Sequence, residues 1–210
     1  MFDADADGVL RETQLAGTPK GTAYERSKQR AEHAARDQAA AQEVELVFTN
    51  PAAVYGPGPA GSALLERQFL EPIARGRRLQ VPFCPPGGMG LAFTESVGRG
   101  QLLAAERGVP GERYILCDGH VTFPELAARV VRLCGSGHVP PVLPERAARA
   151  LAGVGEAVAR VIRRPPLLPR GQLYFFLWDA RPQSGKAQRE LGWTPTPLED
   201  GLAATVAALG

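Results

Sequence analysis

The sequence predicts an α/β fold: an open, mostly parallel sheet flanked by helices, followed by a smaller α+β lobe. Three observations carry the prediction. A helical stretch from Thr22 leads straight into the β-branched and aromatic run Val44–Thr49, and a Pro/Gly loop opens at that strand's carboxyl end. A second strand-like run, Glu112–Cys117, returns after further helical sequence. The 210 residues are 44% apolar with a net charge of +2, enough hydrophobic material for a buried core and too little charge for a disordered chain.

In chain order, residues 1–21 carry Asp3, Asp5, Asp7 and Gly8, then Thr18-Pro19 and Gly21, and read as loop. The DxDxDG run resembles the start of a calcium loop, but Glu12 stands too early to close one, so an acidic turn is expected. Thr22 and Glu25 have capping-box spacing and open a helix to about Gln42, whose Ala23, Ser27, Ala31 and Ala34 form a small-residue face suited to packing on a sheet. Strand Val44–Thr49 follows. Further helices are expected at Ser62–Arg75, Glu95–Arg107, from the capping box Thr122/Glu125 to Cys134, at Glu145–Ile162, Ser184–Leu191 and Leu198–Leu209. Extended segments are expected at Leu79–Phe83, Leu91–Thr94 and Glu112–Cys117, and Gly87–Gly90 reads as a flexible loop.

Tyr24 and Lys28 stand four apart, so a helix puts both side chains on one face. An ammonium beside a phenol favours the phenolate, and such a phenol can exchange a proton at an alcohol or ketone carbon. With 4 Tyr and 3 Lys in the chain, chance supplies this spacing with a probability of about 0.06; the alternative is an ordinary solvated face. Gly56, Gly58 and Gly61 spell G-x-G-x-x-G, yet Pro57 and Pro59 remove the amide donors that a diphosphate cradle needs. Cys84, Cys117 and Cys134 and the three histidines show no ligand spacing, so no metal site is expected.

Several segments together resemble the extended short-chain dehydrogenase/reductase family of the NAD-dependent epimerase/dehydratase type. They are Tyr24-Glu25-Arg26-Ser27-Lys28 with Ala31-Glu32, Asn50-Pro51-Ala52-Ala53-Val54-Tyr55-Gly56-Pro57-Gly58, Ala105–Gly108 with Gly111–Leu116, and Lys186-Ala187 with Glu190–Pro195 and Gly201-Leu202. Their order over almost the whole chain makes the resemblance specific, and it is nearest to dihydroflavonol-reductase-like and hopanoid-associated sugar-epimerase-like members.

The resemblance implies a partial Rossmann-type parallel sheet, its first βαβ units missing, in residues 1–60. Residues 61–210 are then a substrate lobe interleaved with the last Rossmann elements, including the strand near 112–117. It implies Tyr24 as general acid/base and Lys28 as the group that lowers its pKa and holds the nicotinamide ribose. Pro51, Ala52, Ala53 and Val54 line the nicotinamide, and Asn50 and the loop from Gly56 border the substrate. For Pro51 a strand-ending proline is the alternative; for Asn50 the two readings stand even. The cofactor is NAD or NADP, although the glycine-rich turn, the acidic ribose ligand and the Ser or Thr of the catalytic triad are absent from the sequence. Many members carry Asp where Ser96 stands.

The expectation is therefore a truncated chain, whose strand Val44–Thr49 has an open edge and which by itself binds NAD(P) poorly. The first functional reading is an NAD(P)-dependent epimerase, dehydratase or reductase acting at a hydroxyl or carbonyl carbon. The second is a non-catalytic Rossmann remnant that binds a partner, and the third a nucleotide sensor without turnover. A small-molecule substrate is the expected partner. No charge block suits nucleic acid, no apolar run is long enough to span a membrane, and a cytoplasmic location follows from the reduced cysteines and acidic first residues. Pairing of long helices into a homodimer is what the resemblance adds.

Overall fold

The computed structural model describes residues 2–58, 65–77, 83–163 and 170–209. The chain has a mixed α/β architecture with parallel strand pairs. Thr22 caps helix α1 (Ala23–Ala41), with its hydroxyl accepting from Glu25 N while the Glu25 carboxylate returns to Thr22 N. Helix α1 ends in Glu43 at φ 54° and Val44 N donating to Ala39 O. These closing contacts consume the first part of the expected strand, which therefore starts later, as β2 (Phe48–Pro51) and β3 (Ala53–Tyr55).

β2 lies parallel to β5 (Arg113–Leu116), Phe48 opposite Arg113 and Pro51 opposite Leu116. At Ala52 the chain changes neighbours. Its N–H donates to Leu116 O, and β3 then pairs parallel with β4 (Gly88–Phe93), which is antiparallel to β6 (Gly119–Thr122). Among the described residues β2 pairs with β5 alone. Its aromatic face is covered all the same, because the Arg36 and Arg113 guanidinium groups lie 4.8 and 5.4 Å from the Phe48 ring centroid.

Gly88–Gly90 is strand, not flexible loop. A Cβ at Gly90 would lie 2.8 Å from Cys117 Sγ and from Pro182, so glycine here allows close packing of one strand on its neighbours. The first residues also contain a short strand, β1 (Val9–Leu10), parallel to β7 (Arg181–Pro182). Asp5 closes the preceding turn by accepting from Asp7 N and Val9 N.

Three helices follow expectation, α4 (Phe123–Cys134) behind the Thr122/Glu125 box, α5 (Glu145–Ile162) and α8 (Leu198–Leu209), and α3 (Thr94–Arg107) starts one residue early. α7 (Gly185–Leu191) starts one residue late. The helix expected at Ser62–Arg75 is described from residue 65, as a π-helical stretch Glu66–Leu70 running into α2 (Glu71–Ala74). The strand expected at Leu79–Phe83 falls mostly outside the described residues. α6 (Arg170–Leu177) was not expected from the sequence.

The main core lies where α2, α4 and α8 cover β3 and β4, with Tyr55, Leu70, Leu91, Phe123, Leu126, Val130 and Leu202 buried. A second cluster joins β5 to α3 and α7 through Tyr114, Leu116, Leu191 and Trp193. Ser96 is buried between the two clusters. Its hydroxyl is 2.7 Å from Asp118 Oδ2, which also accepts from Phe93 N, while Asp118 Oδ1 accepts from Thr196 N at 2.7 Å. Asp118, arriving from the β5–β6 turn, thus supplies the carboxylate at the start of α3.

Candidate active site

α1 carries the two residues singled out by spacing, and its placement follows from polar contacts. Glu25, Gln29, Glu32 and Arg36 face the protein, whereas Ala23, Ser27, Ala31 and Ala34 are exposed. The small-residue face expected on the sheet is therefore the outer one. Arg113 has a stronger hold on the inner face than alanines have, since its Nε donates to Glu32 Oε1 at 3.0 Å. Burial raises the Glu32 pKa, but hydrogen bonds and nearby positive charge, the Arg113 hydrogen bond first among them, outweigh it and hold the carboxyl below its ordinary range.

These contacts pin the second half of α1 over the amino-terminal ends of β2 and β5. The short connection Gln42–Val47 reverses the chain, so α1 runs back along the strands. Twelve residues before Arg36, at ~1.5 Å per residue, Tyr24 lies about 18 Å further on, on the side of the strands' carboxyl ends. The preceding loop is strapped to the same turn: Gln29 Nε2 donates to Thr18 O, Lys20 N donates to Gln29 Oε1, and Arg26 donates to the carbonyls of Lys20 and Gly21.

Tyr24 and Lys28 leave the helix on one side, with the Lys28 ammonium 5.5 Å from the Tyr24 ring centroid. Tyr24 is 60% exposed and Lys28 is exposed. The other two lysines are committed elsewhere, Lys20 to Asp3 and Lys186 to Glu112. Ser27 points its hydroxyl back at Tyr24 O, 2.7 Å away, and offers nothing to a substrate. A further aromatic ring meets the phenol: Phe175 of α6 approaches Tyr24 edge-on, with centroids 6.5 Å apart. The sequence reading missed Phe175. The only signal was the aromatic density of Leu173–Trp178.

Pro51–Val54 sit where the chain leaves β5 and joins β4. Pro51 and Val54 are exposed and Ala52 and Ala53 half-buried, leaving an apolar wall at this divergence. Asn50 Oδ1 is sealed from solvent and has no hydrogen-bond partner among the described residues. Gly56 is buried, at φ 124°, and its N–H donates to Glu66 Oε1 at 2.6 Å. A Cβ there would lie 2.5 Å from Thr94 Oγ1, so Gly56 shapes the turn, and its amide is not available to a ligand.

The donors present suit the sugar and ring end of a nicotinamide nucleotide: one ammonium, one phenol and an apolar wall. They do not suit its diphosphate, since Gly56 N–H is taken and Pro57 has none. Burial pushes the Cys84 and Cys117 thiols up to about 11, so neither is a thiolate nucleophile. No helix among the described residues is long and apolar enough to cross a membrane.

No family model matches the chain. Sterol demethylase protein B of Methylococcus capsulatus is 29% identical over 189 residues, which are 89% of this chain and 56% of that protein. A nucleoside-diphosphate-sugar epimerase from Pseudomonas aeruginosa superposes with a TM-score of 0.79 at 24% identity, over 99% of this chain and 62% of its own. UDP-glucose 4-epimerase of Thermotoga maritima, solved with UDP-glucose, gives 0.67 at 21% identity, over 93% and 58%. UDP-glucuronic acid 4-epimerase of Bacillus cereus, solved with UDP-glucuronic acid and NAD, gives 0.70 at 16% identity, over 99% and 58%. The chain thus spans little more than half the length of these relatives, and its fold is theirs over that span. The α/β fold expected from the resemblance is borne out over that span.

Proposed function

We propose that this chain, with the fold of the extended short-chain dehydrogenase/reductases, is the acid/base and substrate-facing portion of an NAD(P)-dependent epimerase, dehydratase or reductase. The observation that carries the reading is the exposed Tyr24 phenol with the Lys28 ammonium beside it, on the side of the strands' carboxyl ends. Tyr24 holds or releases the proton at the substrate's hydroxyl or carbonyl oxygen. Lys28 stabilises the phenolate form and hydrogen-bonds the ribose, and Pro51–Val54 supply the apolar wall for the ring. When bound, the nicotinamide supplies hydride transfer at the adjacent carbon. The substrate is a small molecule with a secondary hydroxyl or a carbonyl. The named relatives bracket its chemistry between a sugar nucleotide and a sterol.

Tyr24→Phe is the test. It removes the proton and keeps the ring on Phe175, so turnover is expected to fall by at least about 10²-fold with cofactor affinity nearly unchanged. Unchanged turnover removes the assignment. A second reading, a non-catalytic binding module, is favoured by the missing diphosphate donors at Gly56 and Pro57. It predicts that a protein partner co-purifies with the chain and that NAD(P)H added to it shows no spectral change. Tight NADH binding by this chain alone excludes that reading.

A further inference from the structure

We propose that Phe175 selects the substrate at this site, favouring a rigid apolar alcohol or ketone, of the fused alicyclic ring type, over a sugar nucleotide. The inference rests on Tyr24 as the proton-handling group and narrows the substrate class given above. Helix α6 points its side chains in two directions. Leu173 is buried with Phe83, Ala148 and Ala152. Phe176 meets the Phe123 ring edge-on, with centroids 5.4 Å apart. Phe175 stands about 200° around the helix from Leu173 and so projects from the opposite side. There its ring reaches Tyr24 of α1, with centroids 6.5 Å apart. Leu173 and Phe176 fill the core, whereas Phe175 is directed at the phenol.

Both rings are held by separately anchored helices. The carboxyl end of α6 is tied to the start of β4 and to β6: Gly87 N donates to Phe176 O, Gly88 N donates to Trp178 O, and His120 Nε2 lies 2.7 Å from Asp179 Oδ1. Phe176 O leaves no room for a Cβ at Gly87, so the contact is backbone on backbone. Tyr24 is fixed by the Thr22/Glu25 box and by Arg26. A substrate oxygen within hydrogen-bond reach of the phenol, about 2.6–3.2 Å, brings the atoms around its carbon against this aromatic neighbour. Such a ring favours apolar contact, and a rigid ring system makes that contact without losing rotatable bonds. A sugar nucleotide also brings a diphosphate, which needs amide or cationic donors. Here Gly56 N–H is committed to Glu66 Oε1, Pro57 has no N–H, and Arg26 gives Nη1 to the Lys20 and Gly21 carbonyls.

Equilibrium dialysis of the 210-residue chain against tritiated dehydroepiandrosterone, and separately against tritiated UDP-glucose, tests this by binding alone. The steroid is expected to bind, and UDP-glucose to bind at least about tenfold more weakly; this comparison needs no variant. Phe175→Leu and Phe175→Gln are a matched pair, since both replacements suit a helix and differ in polarity. F175Q should weaken steroid binding by at least about tenfold, as for loss of one apolar side chain's contact, and F175L by less than about threefold. Val154→Asp is the control for adsorption, because Val154 is 62% exposed on α5, and should leave steroid binding unchanged. A wild type that does not bind the steroid, or binds UDP-glucose as tightly, overturns the proposal. So does steroid binding that survives F175Q or is lost in V154D. No proton or hydride moves in dialysis. Failure here therefore leaves the Tyr24→Phe turnover test standing, and unchanged turnover in Y24F leaves the binding preference standing.

Discussion

α1 and α4 begin alike and end up in opposite circumstances. Each opens on a Thr-x-x-Glu capping box with both reciprocal hydrogen bonds made, Thr22/Glu25 in one and Thr122/Glu125 in the other. α4 then lays Phe123, Leu126, Ala127 and Val130 into the main core, fully buried. α1 buries one residue, Glu25, and is otherwise held by Glu32, Arg36 and Gln29. The cap determines where a helix starts, and the inner face determines what it contributes. α4 is part of the folding core, whereas α1 is a polar arm that carries Tyr24 and Lys28 and presents them to solvent.

The largest effect that separates the two helices is expected from Leu126→Ala. It empties a fully buried site in α4 and should cost about 2–5 kcal/mol in urea unfolding, equally at pH 7 and at acid pH. A loss under 1 kcal/mol would mean that α4 is not part of the core. A smaller effect belongs to α1. Glu32→Ala leaves the Arg113 guanidinium, largely shielded, without its carboxylate, and should cost about 1.5–3 kcal/mol at neutral pH. This loss depends on pH. The folded-state pKa of Glu32 is depressed from its ordinary 4.5, so its contribution is complete above that value and disappears as pH falls through the lower folded-state value. The difference between wild type and Glu32→Ala should therefore shrink below about pH 4. A difference constant down to pH 2 would show that α1 is held by packing and not by charge.

Much of this contrast was legible in the sequence, and the illegible part has a physical cause. Capping boxes are local, so both helix starts were readable from four residues each. The α4 face was readable from the spacing of Phe123, Leu126 and Val130. The inner face of α1 was misread because small residues resemble a packing surface. The true inward residues Glu25, Glu32 and Arg36 depend on partners such as Arg113, 81 positions away from Glu32. The same holds at Ser96, where the missing carboxylate is provided by Asp118 from another turn. Tyr24 and Lys28 were singled out by their spacing and given a role by the resemblance, but Phe175, which meets the same phenol, lies in a helix whose neighbours are in distant sequence. Gly87–Gly90 was read as loop because glycine usually marks flexibility, whereas here strand packing excludes a Cβ at Gly90.

The smallest effect is the sharpest test, because it applies one chemical change to both helices. Thr22→Ala and Thr122→Ala each remove an N-cap worth about 1 kcal/mol. In α4 the first turn is tied to Phe123 and the core, so Thr122→Ala should lower the global unfolding midpoint by that amount. In α1 the first turn is tied mainly through Glu25, Arg26 and Gln29, so Thr22→Ala should release that turn without unfolding the rest. Amide hydrogen exchange at Glu25 and Arg26, whose N–H groups bond to Thr22, is expected to quicken about fivefold, the kinetic equivalent of that free energy, while the global midpoint hardly moves. That turn holds Tyr24, so the same substitution should also lower turnover by loosening the phenol. Equal midpoint shifts in the two variants would show that α1 is as much part of the core as α4, and the division between a folding helix and a polar arm would fail.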